Sequence, residues 1–406
     1  MIKFWWETEF KETEIGKIPG DWEVKKMRDL FKIESGRRPP EVNDNGKFEV
    51  WGANGFMGYI TSYNYCGEFL ITGRVGTLGH VFYIPENIKI WVSDNALIIT
   101  KDKDKVIVKL YFYYLKTRKR EIEELNVGST QPLITQRDLK EIKIPYPPPP
   151  EQSRIATVLS WFDDLIENKK RQNEVLEKVA MAIFKSWFVD FEPFKDEKFV
   201  YNEELGKEIP KGWEVKKLGE FVSTQYGFTA SGEETGKIKL LRIKDINKAF
   251  VIDWDSVPFC NITNDIFPKY RLKNMDIVIS RIGDIGKVAI VENPPLSVFA
   301  SYLIKLKIKN HKLTPYYLYY WLKAPDYQEY IQGAAEGSTR PNTNAEVIKA
   351  GPILIPPSSL IEKFEEVVFP IRSKIILNQK QIMVLRKIRD ALLPKLVFGK
   401  LRVEEV

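Results

Sequence analysis

The chain has 406 residues, 44% apolar and 13% aromatic, enough to bury two or three ordinary cores and too much for a disordered tail. Its formal net charge of +7 is a mild basic bias that fits a polyanionic partner without demanding one. Cys66, Cys260, His80 and His311 stand at no CxxC or HxxxH spacing, so neither a disulfide framework nor a Cys/His metal site is expected. The longest apolar runs, such as Ile353–Leu354–Ile355, are far too short to span a bilayer, and no signal peptide opens the chain. The expectation is a soluble cytoplasmic protein.

In chain order, the first landmark is Ile18–Pro19–Gly20–Asp21–Trp22–Glu23–Val24–Lys25–Lys26. Short apolar runs follow, and Leu70–Ile71–Thr72 and Ala96–Ile99 read as strands. Between them lies Gly73–Arg74–Val75–Gly76–Thr77–Leu78–Gly79, a glycine-rich hairpin that needs positive φ and whose G-x-x-G-x-x-G spacing also admits contact with a phosphate backbone. A helix is expected over Val106–Lys119, then a Gly128–Ser129–Thr130–Gln131–Pro132 turn. After Pro147–Pro150 no proline or glycine occurs until Pro193, and proline suits the first turn of a helix but not its interior. Apolar residues recur there at alternating spacings of four and three: Ile155, Leu159, Phe162, Ile166, then Leu176, Ala180, Ile183 and Trp187. That is a coiled-coil seam interrupted by Lys169 and Asn173.

The same landmarks then return in the same order at a period of about 200 residues. Ile209–Pro210–Lys211–Gly212–Trp213–Glu214–Val215–Lys216–Lys217 repeats the opening. Ser280–Gly286 echoes the hairpin between predicted strands at Ile277–Ser280 and Val288–Val291, and a helix is expected over Pro315–Lys323. Gly337–Ser338–Thr339–Arg340–Pro341 repeats the turn. A second seam follows Pro356–Pro357 through Phe364, Ile371, Ile375, Asn378, Ile382, Leu385 and Leu392. Each seam is one-sided, so each helix needs a partner. Forty helical residues span about 60 Å at about 1.5 Å per residue.

The order I-P-x-G-W-x-V-K-K, G-S-T-Q-P, then I-x-I-P-x-P-P-x-x-E-Q-x-x-I-A resembles the specificity subunits of Type I restriction–modification enzymes. Ile142–Pro148 and Glu151–Ala156 carry the last motif nearly in full. The second copy departs from it, with Ser358–Ser359 in place of Glu-Gln and with Pro370 expected one or two turns into its helix, kinking the start. The resemblance implies a mixed α/β (α+β) fold of two target recognition domains, residues 1–149 and 191–357. Each is followed by a long helical segment, residues 150–190 and 358–406, and the two helices pair as an antiparallel coiled coil with pseudo-twofold symmetry. It implies double-stranded DNA as ligand, with two modification subunits and restriction subunits as partners. It implies no cofactor and no catalysis by the chain itself.

The chemistry-bearing motifs agree with that expectation. Asn293–Pro294–Pro295 resembles the N-P-P of amino-methyltransferases, but Leu296 replaces the aromatic and no F-x-G-x-G loop exists. No G-x-x-x-x-G-K-[ST] is present for a nucleotide.

DNA readers use Lys and Arg for phosphates, and Arg, Asn, Gln or Lys for base edges. Candidates in the first copy are Arg37, Arg38, Lys47, Trp51, Asn54, Arg74, Gln131 and Arg137. Those in the second are Gln225, Tyr226, Arg242, Lys244, Arg281, Arg340, Asn342 and Asn344. Trp22, Trp213 and the Tyr111–Tyr114 and Tyr316–Tyr320 clusters are expected to be framework. The competing expectation is a scaffold that pairs two partner proteins without reading DNA.

Overall fold

The computed structural model describes residues 2–128, 130–246, 250–334 and 342–405. It divides into two compact units, one of residues 1–165 with 385–406, the other of residues 166–384. Both are mixed α/β.

The first unit holds an antiparallel four-stranded sheet in the order Val81–Ile84, Phe69–Gly73, Ala96–Lys101, Phe31–Ser35. A second sheet pairs Phe48–Gly52 in parallel with Lys89–Val92, flanked by Gly55–Ile60 and Tyr65–Cys66. Phe69–Gly73 is buried on both faces, which is why it reads as an unbroken apolar run. The helix Val108–Thr117 packs its tyrosines inward, and Tyr114 donates to the carbonyl of Lys143 in the strand pair Lys143–Tyr146 with Glu23–Lys26. Trp22 is fully buried in the same core.

The second unit repeats this plan. Its four-stranded sheet runs Val288–Ile290, Ile277–Ser280, Leu303–Ile308, Val222–Tyr226, all antiparallel. Ile238–Leu241 pairs in parallel with Ser297–Phe299. Trp321 of the helix Pro315–Lys323 donates to the carbonyl of Pro352, the counterpart of the Tyr114–Lys143 bond. Trp213 is buried against Phe188, Phe191 and Phe194.

The two hairpins are alike to the backbone. Gly76 and Gly283 have φ of 86° and 72°, a left-handed conformation that costs other residues a Cβ clash. The expected strands are present, and the expected helix over Val106–Lys119 is trimmed to Val108–Thr117.

Two forty-residue helices, Pro149–Phe188 and Ser358–Val397, follow the two front parts. Their buried stripes correct the expected seams. In the first helix the stripe runs Ile155, Leu159, Ile166, Asn173, Glu177, Ala180, Phe184, Phe188, and Leu176, Ile183 and Trp187 lie beside it. In the second it runs Phe364, Val368, Arg372, Ile375, Asn378, Ile382, Leu393, with Ile371 and Leu392 only half-buried. The stripe passes through charged residues that an apolar pattern skips. Pro370 is the thirteenth residue of its helix, over three turns in, and the helix runs on through it. Pro370 and Glu366 are exposed, so the carbonyl that loses its N–H partner stands on the wet face.

Buried charge joins elements within each unit. In the second, Arg372 is fully buried and bonds Glu177 of the first long helix and Glu292 beside the strand Val288–Ile290. Lys323, Tyr319 and Tyr320 also bond Glu177. Burial pulls the Glu177 carboxyl up, but Lys323 and Arg372 outweigh it and hold it below the ordinary range. In the first unit, Arg402 bonds Glu7, Asp21 and Glu151, and Glu151 also accepts from the Trp22 indole at 2.9 Å. Gln152 accepts from the Ile107 N–H and donates to the Pro147 carbonyl. The Glu-Gln pair therefore fastens the helix start to its domain. The strand Leu401–Glu405 that carries Arg402 pairs antiparallel with Ile2–Trp6.

Candidate nucleic-acid interface

One segment in each unit gathers several candidate loops. In the first unit it is Val92–Asn95. The Arg37 N–H donates to the Val92 carbonyl at 2.9 Å, Asn95 Oδ1 accepts from the Ala53 N–H, and the Arg74 N–H donates to the Asn95 carbonyl. The Gly76 N–H donates to the Pro132 carbonyl, which brings the Gln131 loop to the same hairpin. Arg37, Arg38, Asn54 and Gln131 are exposed, and Arg74 is half-buried.

In the second unit the equivalent segment is Phe299–Tyr302. The Phe228 N–H donates to the Phe299 carbonyl, and the Arg281 N–H to that of Tyr302. The Arg281 guanidinium donates through Nε to the Ser301 carbonyl at 3.1 Å and through Nη1 to Asn342 Oδ1 at 3.3 Å. It lies over the Tyr226 ring, 5.3 Å from the centroid. The Tyr226 hydroxyl accepts from the Ala345 N–H at the start of the helix Ala345–Ala350.

The remaining candidates are placed differently. Trp51 packs on Phe82 and donates to Glu49 at 2.7 Å, so its ring is largely committed to the fold. Lys47 is exposed at the other end of the strand Phe48–Gly52 from Asn54. Arg137 is exposed in the first turn of the helix Gln136–Glu141. Gln225 donates to the Lys269 carbonyl at 2.6 Å. Arg242 makes a two-pronged pair with Asp245 at 2.8 and 2.9 Å, while Lys244 is exposed beside it. Asn344 caps the helix Ala345–Ala350 by accepting from the N–H groups of Glu346 and Val347. Arg340 lies outside the described residues.

Asp94, Asn95, Ser301 and exposed Tyr302 were not among the candidates. They do the same backbone work in both copies with different side chains, so no residue match betrays them. Asn293–Pro294–Pro295 forms a loop between strands Val288–Ile290 and Ser297–Phe299. Among the described residues no cluster of three or more His, Cys, Asp or Glu could hold a metal, and no helix is long and apolar enough to cross a membrane.

The model of the Type I restriction modification DNA specificity domain matches this chain twice, over residues 19–178 and 210–385. The chain is similar to the Type I restriction enzyme MjaIX specificity subunit of Methanocaldococcus jannaschii, 41% identical over all of this chain and 99% of that protein. The HindI specificity subunit of Haemophilus influenzae is 21% identical over 80% of this chain and 84% of that one. Among solved structures, the Type I restriction–modification S subunit from M. genitalium shares the fold, with a TM-score of 0.56 at 21% identity over 92% of this chain and 96% of that one. Two domain matches in tandem and a full-length relative at that identity place the chain in the Type I restriction–modification DNA specificity family.

Proposed function

We propose that this chain reads a bipartite, asymmetric site on double-stranded DNA, one half with each repeat, as the non-catalytic recognition subunit of a Type I restriction–modification complex. Residues 1–149 and 191–357 act as the recognition domains. Two modification subunits supply methyl transfer from S-adenosylmethionine, and restriction subunits supply translocation and cleavage. The observation that carries this reading is a shared framework with divergent loops. The hairpins, their glycines and their hydrogen bonds repeat, whereas Arg37 stands where the second copy has Phe228 and Ser35 where it has Tyr226. One fold presenting two sets of side chains is what two different half-sites require. The exposed or half-buried candidates Arg37, Arg38, Lys47, Asn54, Arg74, Gln131, Arg137, Tyr226, Lys244, Arg281 and Asn342 are the side chains free to contact it.

The long segments, residues 150–190 and 358–406, pair antiparallel as a coiled coil and set the spacer between half-sites. Rising numbers on one helix meet falling numbers on the other in the second unit, which supports this pairing. Asp163 bonds Arg389 in the first unit, and Lys169 bonds Gln381, Asn173 Asn378 and Glu177 Arg372 in the second.

Domain exchange tests the reading. Replacing residues 18–147 with the matching domain of a related subunit changes one half of the methylated motif and leaves the other half intact. Change in both halves, or in neither, refutes it.

A further inference from the structure

We propose that Arg281 is the base-reading arginine of the second repeat and recognises a guanine edge, whereas its counterpart Arg74 meets DNA phosphate. This rests on the DNA-reading function and assigns the ligand chemistry of one residue in it.

The two arginines occupy equivalent places. Each follows the corresponding strand, and the N–H of each donates to the equivalent carbonyl, that of Asn95 or Tyr302. The carbonyl of each accepts from the loop before the next helix, from Ile134 or Thr343. Their side chains are held differently. Arg281 lies on the Tyr226 ring, and two of its five N–H donors go to the Ser301 carbonyl and the Asn342 side chain. Tyr226 is itself fixed by the Ala345 N–H, and the residue is 45% exposed. In the first repeat Ser35 replaces Tyr226 and Leu133 replaces Asn342, as the paired bridges Val75–Leu133 and Ile282–Asn342 show. The Arg74 guanidinium makes one hydrogen bond among the described residues, a long one to the Asp94 carbonyl at 3.5 Å.

A planar guanidinium fixed by a ring and two acceptors loses little rotamer freedom on binding. It keeps three donors, one on Nη1 and two on Nη2, in a rigid fork. That fork matches the O6 and N7 acceptors of guanine in the major groove. A loosely held arginine suits a phosphate, which tolerates many approach angles and carries no base identity.

The test uses the intact chain with its modification subunits and two readouts. Sequencing of methylated DNA from cells carrying Arg281→Gln is expected to show one guanine of one half-site relaxed, with the other half-site unchanged. Arg74→Gln is expected to lower methylation evenly with the motif intact. Because Arg281→Gln also removes structural bonds, wild-type complex is titrated with duplexes bearing 7-deazaguanine at each guanine of the motif. One substitution in that half-site is expected to weaken binding about five- to hundredfold. Arg281→Gln complex is expected to be indifferent to it. An unchanged motif in Arg281→Gln, or no sensitive guanine in that half-site, overturns the assignment. A wild-type complex that methylates no defined motif overturns instead the DNA-reading function on which it rests.

Discussion

The side-chain amide of Asn378 donates to Oδ1 of Asn173 at 2.9 Å, and both side chains are buried between the two long helices of the second unit. Oδ1 of Asn378 has no partner among the described residues, so the pair costs stability where an apolar pair would not. Such a pair fixes alignment, because a slip would set each amide against an apolar neighbour. Asn173→Leu alone leaves the Asn378 amide with the longer bond to Gln172 Oε1 at 3.3 Å and is expected to cost about 1–3 kcal/mol. Asn173→Leu with Asn378→Leu is expected to be neutral or stabilising. Urea unfolding of the wild type, the single and the double variant checks this, and a double variant less stable than the single would refute it.

Arg372 neutralises two buried carboxylates at once. Arg372→Met leaves Glu177 and Glu292 buried, with Lys323 the one cation paired to either among the described residues, and is expected to cost about 3–5 kcal/mol. Adding Glu177→Gln to Arg372→Met should recover part of that loss, because one unpaired charge is gone. Equilibrium unfolding measures both, and strict additivity would show that the pair is not coupled.

Acid should loosen the first unit through Arg402. The Arg402 hydrogen bond is the largest influence on Asp21 and holds its carboxyl below the ordinary range. Burial raises Glu7, but the N–H groups of Glu9 and Thr8, with Arg402, bring it below its ordinary value. Folded values below unfolded ones mean the stabilisation is complete above the unfolded values. It is lost as pH falls through the lowered ones. Melting temperature is therefore expected to drop steeply below about pH 4. Arg402→Met should melt lower at pH 7 and show a shallower acid limb; an equally steep limb would remove Arg402 as the cause.

Spacer length is open to direct engineering. Because the contacts run in opposite directions along the two helices, a matched insertion in both keeps every pair. Seven residues after Leu165 and seven after Val384 fall between the Asp163–Arg389 and Lys169–Gln381 contacts. They add about 10 Å at about 1.5 Å per residue while preserving the buried face. At about 3.4 Å per base pair, the methylated motif is expected to gain about three spacer base pairs with both half-sites unchanged. An active protein with the original spacer would show that the helices do not measure it.

The duplication can be read from sequence because it rests on residues with strict backbone or packing demands. Gly76 and Gly283 turn the same hairpin, and Trp22 and Trp213 fill equivalent cores. The helical stripe is less readable beyond Asn173. Glu177 and Arg372 are among the most polar residues there, and they are buried only because distant elements supply opposite charge. Candidate readers fail in the same way. Arg242 looks available until Asp245 takes both edges of its guanidinium, and Asn344 until it caps a helix. Pattern tells which residues are polar, and only the fold tells which of them are already engaged.

The strand Leu401–Glu405 completes a unit whose other strands all lie before residue 150. A chain leaving the ribosome from its N-terminus therefore holds every residue of the second unit, 166–384, before any of residues 385–406 exists. Until then Ile2–Trp6 has no strand to pair with, and Glu151 and Trp22 wait for Arg402. Contacts closed across nearly the whole sequence are slow to form. The unit that is synthesised first is thus the one whose closing strand is made last.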